Sequence, residues 1–190
     1  MFLYTGVTAT FNAVVDVPGT IDVSGTFYRV VPHSTMEPTS TQFAYEWGGR
    51  WNAPFTFPVL YTSSSVQVAR NFVDWTSQYY GLPLGTPDLL VFNFSARVAD
   101  FVTDQGLIHY GLPTSYPLEH LGPDSHWMTQ PFGQAVFDAG LPGLASRSAV
   151  MTSWVGSIGD WADLAIFTTQ SPPAVLSDRL PFSDWYPYVC

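Results

Sequence analysis

Glycine and proline interrupt this chain along most of its length. The 190 residues hold 15 glycines and 16 prolines, and nearly every segment contains one or the other. Such punctuation limits the fold to short elements joined by tight turns. Apolar material is ample: 46% of the residues are hydrophobic and 16% aromatic, enough to build a core and too much for a disordered chain.

The segments between the turns carry readable periods. Phe11–Val17 and Thr26–Val31 are β-branched and aromatic, with Pro18-Gly19 and Ser24-Gly25 as turns between them, and both read as strands. Residues 32–42 are polar and turn-rich, hence a loop, and Phe57–Tyr61 is a short apolar run suited to a buried strand. Ser63-Ser64-Ser65 supplies a helix cap, and Val66, Ala69 and Val73 then recur on one helical face as far as about Tyr79. Asp88–Val98 is a long strand, Thr129–Ala139 a helix stopped by Gly140, and Gly143–Ser148 and Asp163–Thr168 two further strands. From Ser171 onward the chain is rich in proline and aromatics and reads as a tail lying on the surface. This order predicts one α/β (α+β) domain over residues 1–190, with a mixed sheet core and a few helices.

Charge narrows the function. Only 11% of the residues are charged, there is no lysine, all six basic residues are arginine, and the net charge is -9. General nucleic-acid binding needs a basic face and is excluded. An anionic ligand must be held locally, by a few placed arginines. The lone cysteine, Cys190, permits no intrachain disulfide, which fits the cytoplasm. No basic leader or long apolar run precedes Asp16, and no segment approaches a membrane span. His109, His120, Asp124 and His126 lack a convergent ligand spacing, so no metal is expected. No phosphate loop, GxGxxG or nucleophile elbow is present.

Gly48-Gly49-Arg50-Trp51-Asn52 is the most informative run. Two glycines allow a sharp turn or a close approach, arginine offers a planar donor fork, and tryptophan and asparagine add a flat apolar face and a bidentate polar group. By composition alone the run reads first as a surface turn with an arginine and a half-buried tryptophan. The blocks around it resemble the RES domain family. They are FYRVVP, GGRWN, VLYTS, QVARNF, ADFVTD, HWMTQPFGQAVFDAG, GLASRSAV and DLAIF, in that order, over residues 26–168. The specific part is GGRWN followed by an apolar strand ending in Tyr-x-Ser.

The resemblance implies a fold related to ADP-ribosyltransferases and the toxin role of RES–Xre toxin–antitoxin pairs. It implies NAD⁺ as substrate, cleaved at the nicotinamide–ribose bond by hydrolysis or phosphorolysis, and a cognate antitoxin as partner. It also implies roles. Arg29 faces the NAD⁺ cleft, Arg50 with Gly49, Trp51 and Asn52 forms the motif that binds it, Tyr61 lies against nicotinamide or ribose, and Ser148 bonds the ligand or orients an arginine. Each has a plainer alternative: a salt-bridge partner for Arg29, a core aromatic for Tyr61, a satisfied turn for Ser148. The resemblance predicts that Arg29, Arg50, Tyr61 and Ser148 line one cleft.

One departure matters. Family members carry a glutamate on the helix after the Tyr-x-Ser strand, and here the aligned positions are Asn71 and Phe72. Breaking the glycosidic bond builds positive charge on the ribose, which a carboxylate stabilises. Either another acid serves, Glu46 first and Asp100 or Asp104 next, or the remaining residues support slow turnover, or the domain is a catalytically degenerate binding module. A transferase that ADP-ribosylates a macromolecule is a further alternative.

Overall fold

The computed structural model describes residues 9–13, 18–34, 36–80, 87–117, 125–151 and 161–182. Two long strands form its spine. β2 (Thr20–Pro32) and β4 (Pro87–Phe101) pair antiparallel without a break from Thr20↔Ala99 to Pro32↔Pro87. Alternation along this pair puts Ile21, Val23, Phe27 and Val31 on one face, in register with Val98, Ala96, Phe92 and Leu90 or their neighbours, and these side chains make the larger apolar core.

The outer edges of the spine are shared. β1 (Thr10–Ala13) covers the first half of β2, and β3 (Val59–Ser63) meets its second half only at Tyr28↔Ser63. On β4, β7 (Val175–Pro181) covers the first half, and β5 (Gly143–Arg147) runs parallel to the end, from Ala99↔Leu144 to Phe101↔Ser146. β6 (Ala162–Phe167) bridges β3 and β5, antiparallel to both. The pairings β2–β3–β6–β5–β4–β2 therefore close into a ring within a seven-stranded mixed sheet, and the single β2–β3 pair is its thinnest join.

Among the described residues, four helices complete this α+β fold: α1 (Gln42–Trp47), α2 (Val66–Tyr80), α3 (Asp104–His109) and α4 (His126–Asp138). α2 lays Ala69 and Val73 against Leu89 and Phe182. α4 seals a second core through Val136, with Trp51, Phe57, Val59, Phe101, Leu144 and Phe167. The helix expected from Val66 and the one expected before Gly140 are both present.

Three expectations need correction. The Ser24-Gly25 turn is absent: β2 runs straight through it, with Gly25 at φ 124° opposite Phe94, because Ile21 and Val23 find apolar partners on β4. Residues 32–42 are not wholly loop, since α1 begins at Gln42. The stretch from Ser171 is not only a tail: residues 175–181 form β7, whose alternating Leu176, Asp178 and Leu180 are the less exposed positions. Residues 183–190, with Cys190, lie outside the described residues, as do 14–17 of the first expected strand and His120 and Asp124. The Pro18-Gly19 turn is present, and there glycine is required. Its φ is 74°, and a Cβ would stand 2.2 Å from the His109 ring.

Candidate functional site

The Gly48–Asn52 loop is fixed from several sides. Asn52 is fully buried, and its amide donates to the Ala44 carbonyl at 2.7 Å and to the Phe57 carbonyl at 3.4 Å. The Tyr61 hydroxyl donates to Asn52 Oδ1 at 2.8 Å and accepts from the Trp51 amide at 3.0 Å. From α4, Thr129 donates to the Arg50 carbonyl, and Gln130 donates to the carbonyls of Gly49 (3.0 Å) and Asn52 (3.3 Å). Gly49 lies so close to Tyr61 that a Cβ would come within 2.6 Å of the phenol oxygen. Trp51 is buried against Phe101, ring centroids 5.0 Å apart. Tyr61, Trp51 and Asn52 thus hold the loop's shape. Burial pushes the Tyr61 phenol well above its ordinary pKa, so it remains a neutral donor.

The Arg50 side chain is what this scaffold presents. Its guanidinium lies over the rings of Trp51 and Tyr116, 5.6 and 5.2 Å from their centroids. Nη1 donates to the Arg147 carbonyl at 3.4 Å, and Nη2 is buried without a hydrogen-bond partner. Arg70, Arg97, Arg147 and Arg179 all pair with aspartates, at 3.9, 2.9, 2.5 and 2.5 Å. Among the described residues, Arg50 and Arg29 have no carboxylate within 4.0 Å, and each buries one guanidinium nitrogen that bonds nothing. A buried cationic donor left unpaired is costly. In a chain of net charge -9, these two are the guanidinium groups with a donor open to an anionic ligand.

Near Arg50 stands an acid that was not among the sequence-based candidates. Asp163 is the second residue of β6, between Ser63 of β3 and Ser146 of β5. It accepts from the Ser63 hydroxyl at 3.1 Å, and the fully buried Ser148 is near enough to favour its charged form. Burial pushes its carboxyl above the usual range, while Ser148, the Arg50 charge and the Ser63 bond pull the other way. Burial also raises the Tyr116 phenol, opposed by the charge and hydrogen bond of Arg50. The available signal was an aspartate inside the otherwise apolar run Ala162–Phe167.

These contacts gather Arg50, Gly49, Trp51, Asn52, Tyr61 and Ser148, with Asp163, into one cluster. Arg29 stands apart from them. Alternation puts it on the face of Phe27 and Leu90, whereas Tyr28 shares its face with Ser63 and Tyr61. It does sit where β2 and β3 part, one residue past their single shared pair. Burial disfavours its charged form. Glu46 is exposed on α1 and bonded by Gln42, with no contact to the cluster. Asp100 is occupied by the Val102 and Thr103 amides and the Thr103 hydroxyl, and Asp104 by Arg147. On α2, Asn71 reaches toward the segment after Ser148, bonding the Val150 carbonyl at 3.5 Å and Met151 Sδ at 3.1 Å, while Phe72 is 53% exposed. Of the two positions, Asn71 is on the side of the cluster. Among the described residues no three His, Cys, Asp or Glu side chains are grouped to hold a metal, and no helix is long and apolar enough to cross a membrane.

The RES domain profile matches residues 26–188 of this chain. A solved structure, the MbcT–MbcA toxin–antitoxin complex of M. tuberculosis, contains a chain similar to this one. The superposition has a TM-score of 0.71 at 22% sequence identity and covers 86% of each chain. No curated protein sequence matches.

Proposed function

The chain belongs to the RES domain family, and on that premise we propose that it is a toxin that consumes NAD⁺, breaking the nicotinamide–ribose bond by hydrolysis or phosphorolysis, with a cognate antitoxin protein as its inhibitor. The carrying observation is the pair of guanidinium groups, Arg29 and Arg50, that lack any carboxylate partner while the other four arginines have one. NAD⁺ offers a pyrophosphate to such groups. Arg50 suits it best, because stacking on Trp51 and Tyr116 and the pinned backbone behind it leave little freedom to lose on binding. Arg29, on the other face at the parting of β2 and β3, would meet the ligand only through that opening. Ser148 lies beside Arg50 and orients the site through Asp163. The antitoxin partner is supported by the complex in which the similar fold occurs. Such a toxin acts in the cytoplasm, where NAD⁺ is abundant.

A second reading, a degenerate RES domain that binds without turnover, is favoured by one observation: α2 carries Asn71 and Phe72 where an acid is expected. Expression of the protein in a bacterial host, with the cellular NAD⁺ pool followed over time, separates the two. The NAD⁺-consuming reading predicts growth arrest preceded by a falling pool. Normal growth with an unchanged pool, while the pure protein still binds NAD⁺, favours the degenerate module. Arrest with an unchanged pool removes NAD⁺ as the target.

A further inference from the structure

The cluster beside the Gly48–Asn52 loop holds opposite charges that do not neutralise each other. Arg50 has no carboxylate within 4.0 Å, yet it reaches the Arg147 carbonyl, one rung from Asp163 across β5 and β6, so the two charges share one neighbourhood. The two come from unrelated elements, the loop and the second residue of β6, and each is held by its own set of bonds. Arg50 is held by two aromatic rings and the Arg147 carbonyl. Asp163 is held by the Ser63 hydroxyl from β3, with Ser148, one residue past β5, close by. Direct pairing would be the cheapest arrangement for two partly buried ions. Holding them apart leaves Arg50 Nη2 without a hydrogen-bond partner, and a complement to the pair is a ligand that carries both charges.

NAD⁺ is such a ligand, with an anionic pyrophosphate and a cationic pyridinium linked through one ribose. We propose that Asp163 is the carboxylate that faces the nicotinamide riboside end of NAD⁺, taking the part for which α2 supplies no acid. The assignment rests on the NAD⁺ reading above and deepens it. In the ground state the carboxylate pairs electrostatically with the pyridinium. As the C1′–N bond breaks, its electron pair leaves with nicotinamide, which becomes neutral, and the positive charge passes to the ribose carbon. A carboxylate held in place beside that carbon stabilises the charge until the oxygen of water or phosphate bonds to C1′ and its proton is lost to solvent. Ser63 acts as a positioning residue, fixing the carboxylate by donating to it, with Ser148 close by.

This assignment predicts charge selectivity that can be read without turnover. The probes are the carbocyclic analogue of NAD⁺, whose glycosidic bond is not cleaved, and its dihydropyridine form, which has the same shape without the pyridinium charge. Binding of both is measured by calorimetry to the full chain and to Asp163→Asn, which keeps an acceptor for Ser63. The parent is expected to prefer the pyridinium form by roughly tenfold to a hundredfold, and Asp163→Asn to bind both forms equally. Equal affinity of the parent for the two forms overturns the role of Asp163 by itself, whether or not the variant folds. A preference that persists unchanged in folded Asp163→Asn overturns it as well. Binding of neither form by the parent overturns the NAD⁺ reading and this assignment together.

Discussion

Arg50 is a cation whose backbone is fixed and whose charge is left open. Its carbonyl is bonded by Thr129, and the residues around it are tied to Tyr61 and Gln130. Removing the guanidinium takes away a buried nitrogen that bonds nothing, along with a 3.4 Å bond and its contacts with Trp51 and Tyr116, whose rings an apolar side chain still covers. Arg50→Met is therefore expected to melt no lower than the parent and to lose the thermal stabilisation that saturating NAD⁺ gives the parent. Arg50→Lys should recover little of it, since a point charge lacks the fork. A melting shift with NAD⁺ as large as the parent's in either variant removes Arg50 from the site. Asp163 behaves in the opposite way. Because burial raises its carboxyl pKa, the folded form takes up the proton more readily than the unfolded chain. Its contribution to stability is full below the unfolded carboxyl range and is lost as pH rises through the raised value. Asp163→Asn should thus melt above the parent at about pH 8, with the difference closing toward about pH 4. A gap that is constant across this range contradicts the buried carboxylate. Arg50 was legible in the sequence because glycines, an aromatic and an amide surround it. Asp163 was not, because its neighbours Ser63 and Ser148 come from segments that only the closed ring brings beside it.

Two elements carry the remaining expectations. Helix α2 turns Asn71 toward Val150 and Met151 and leaves Phe72 to solvent. If Asp163 already supplies the carboxylate, Asn71→Glu should change nicotinamide release by less than about tenfold in the parent, yet restore a good part of the roughly hundredfold loss expected of Asp163→Asn. A large gain in the parent would show instead that the helix position is the one that lacks its acid. Strand β7 is held by a different device. Arg179 donates to the buried Asp88 at 2.5 Å and to the His33 carbonyl at 2.6 Å, and His33 meets the same carboxylate at 2.9 Å. Burial raises the Asp88 carboxyl, but the bonds and charges of His33 and Arg179 outweigh it and hold the group below its usual value. Arg179→Ala is expected to cost about 1–3 kcal/mol in denaturant unfolding and to speed amide exchange along 175–181. An unchanged midpoint would mean that the backbone ladder alone keeps β7 in place. The apolar runs of β3, β4 and β6 announced themselves in sequence. β7 did not, because two prolines precede it and half its side chains face water, so its partner Asp88 decides its course.

At the scale of the molecule, the closed ring of β2, β3, β6, β5 and β4 explains why the candidate residues are far apart in sequence and close in space. Local patterns revealed most strands and two helices, while the order in which strands pair is set by contacts between distant segments, such as Val59↔Phe167 and Phe101↔Ser146. The thin β2–β3 join gives the ring a natural opening, flanked by Arg29 on one face and the Arg50 cluster on the other. On the proposed reading the ligand is held by Arg50 and, where it threads this opening, by Arg29 as well. The most direct measurement is nicotinamide release from NAD⁺ by the pure protein, with and without phosphate, beside the folded Arg29→Ala/Arg50→Ala variant. The expected result is release by the parent and a loss of at least about a hundredfold in the variant, with phosphate dependence telling phosphorolysis from hydrolysis. Release at the same rate from the double variant, or none from the parent in either buffer, would contradict the account.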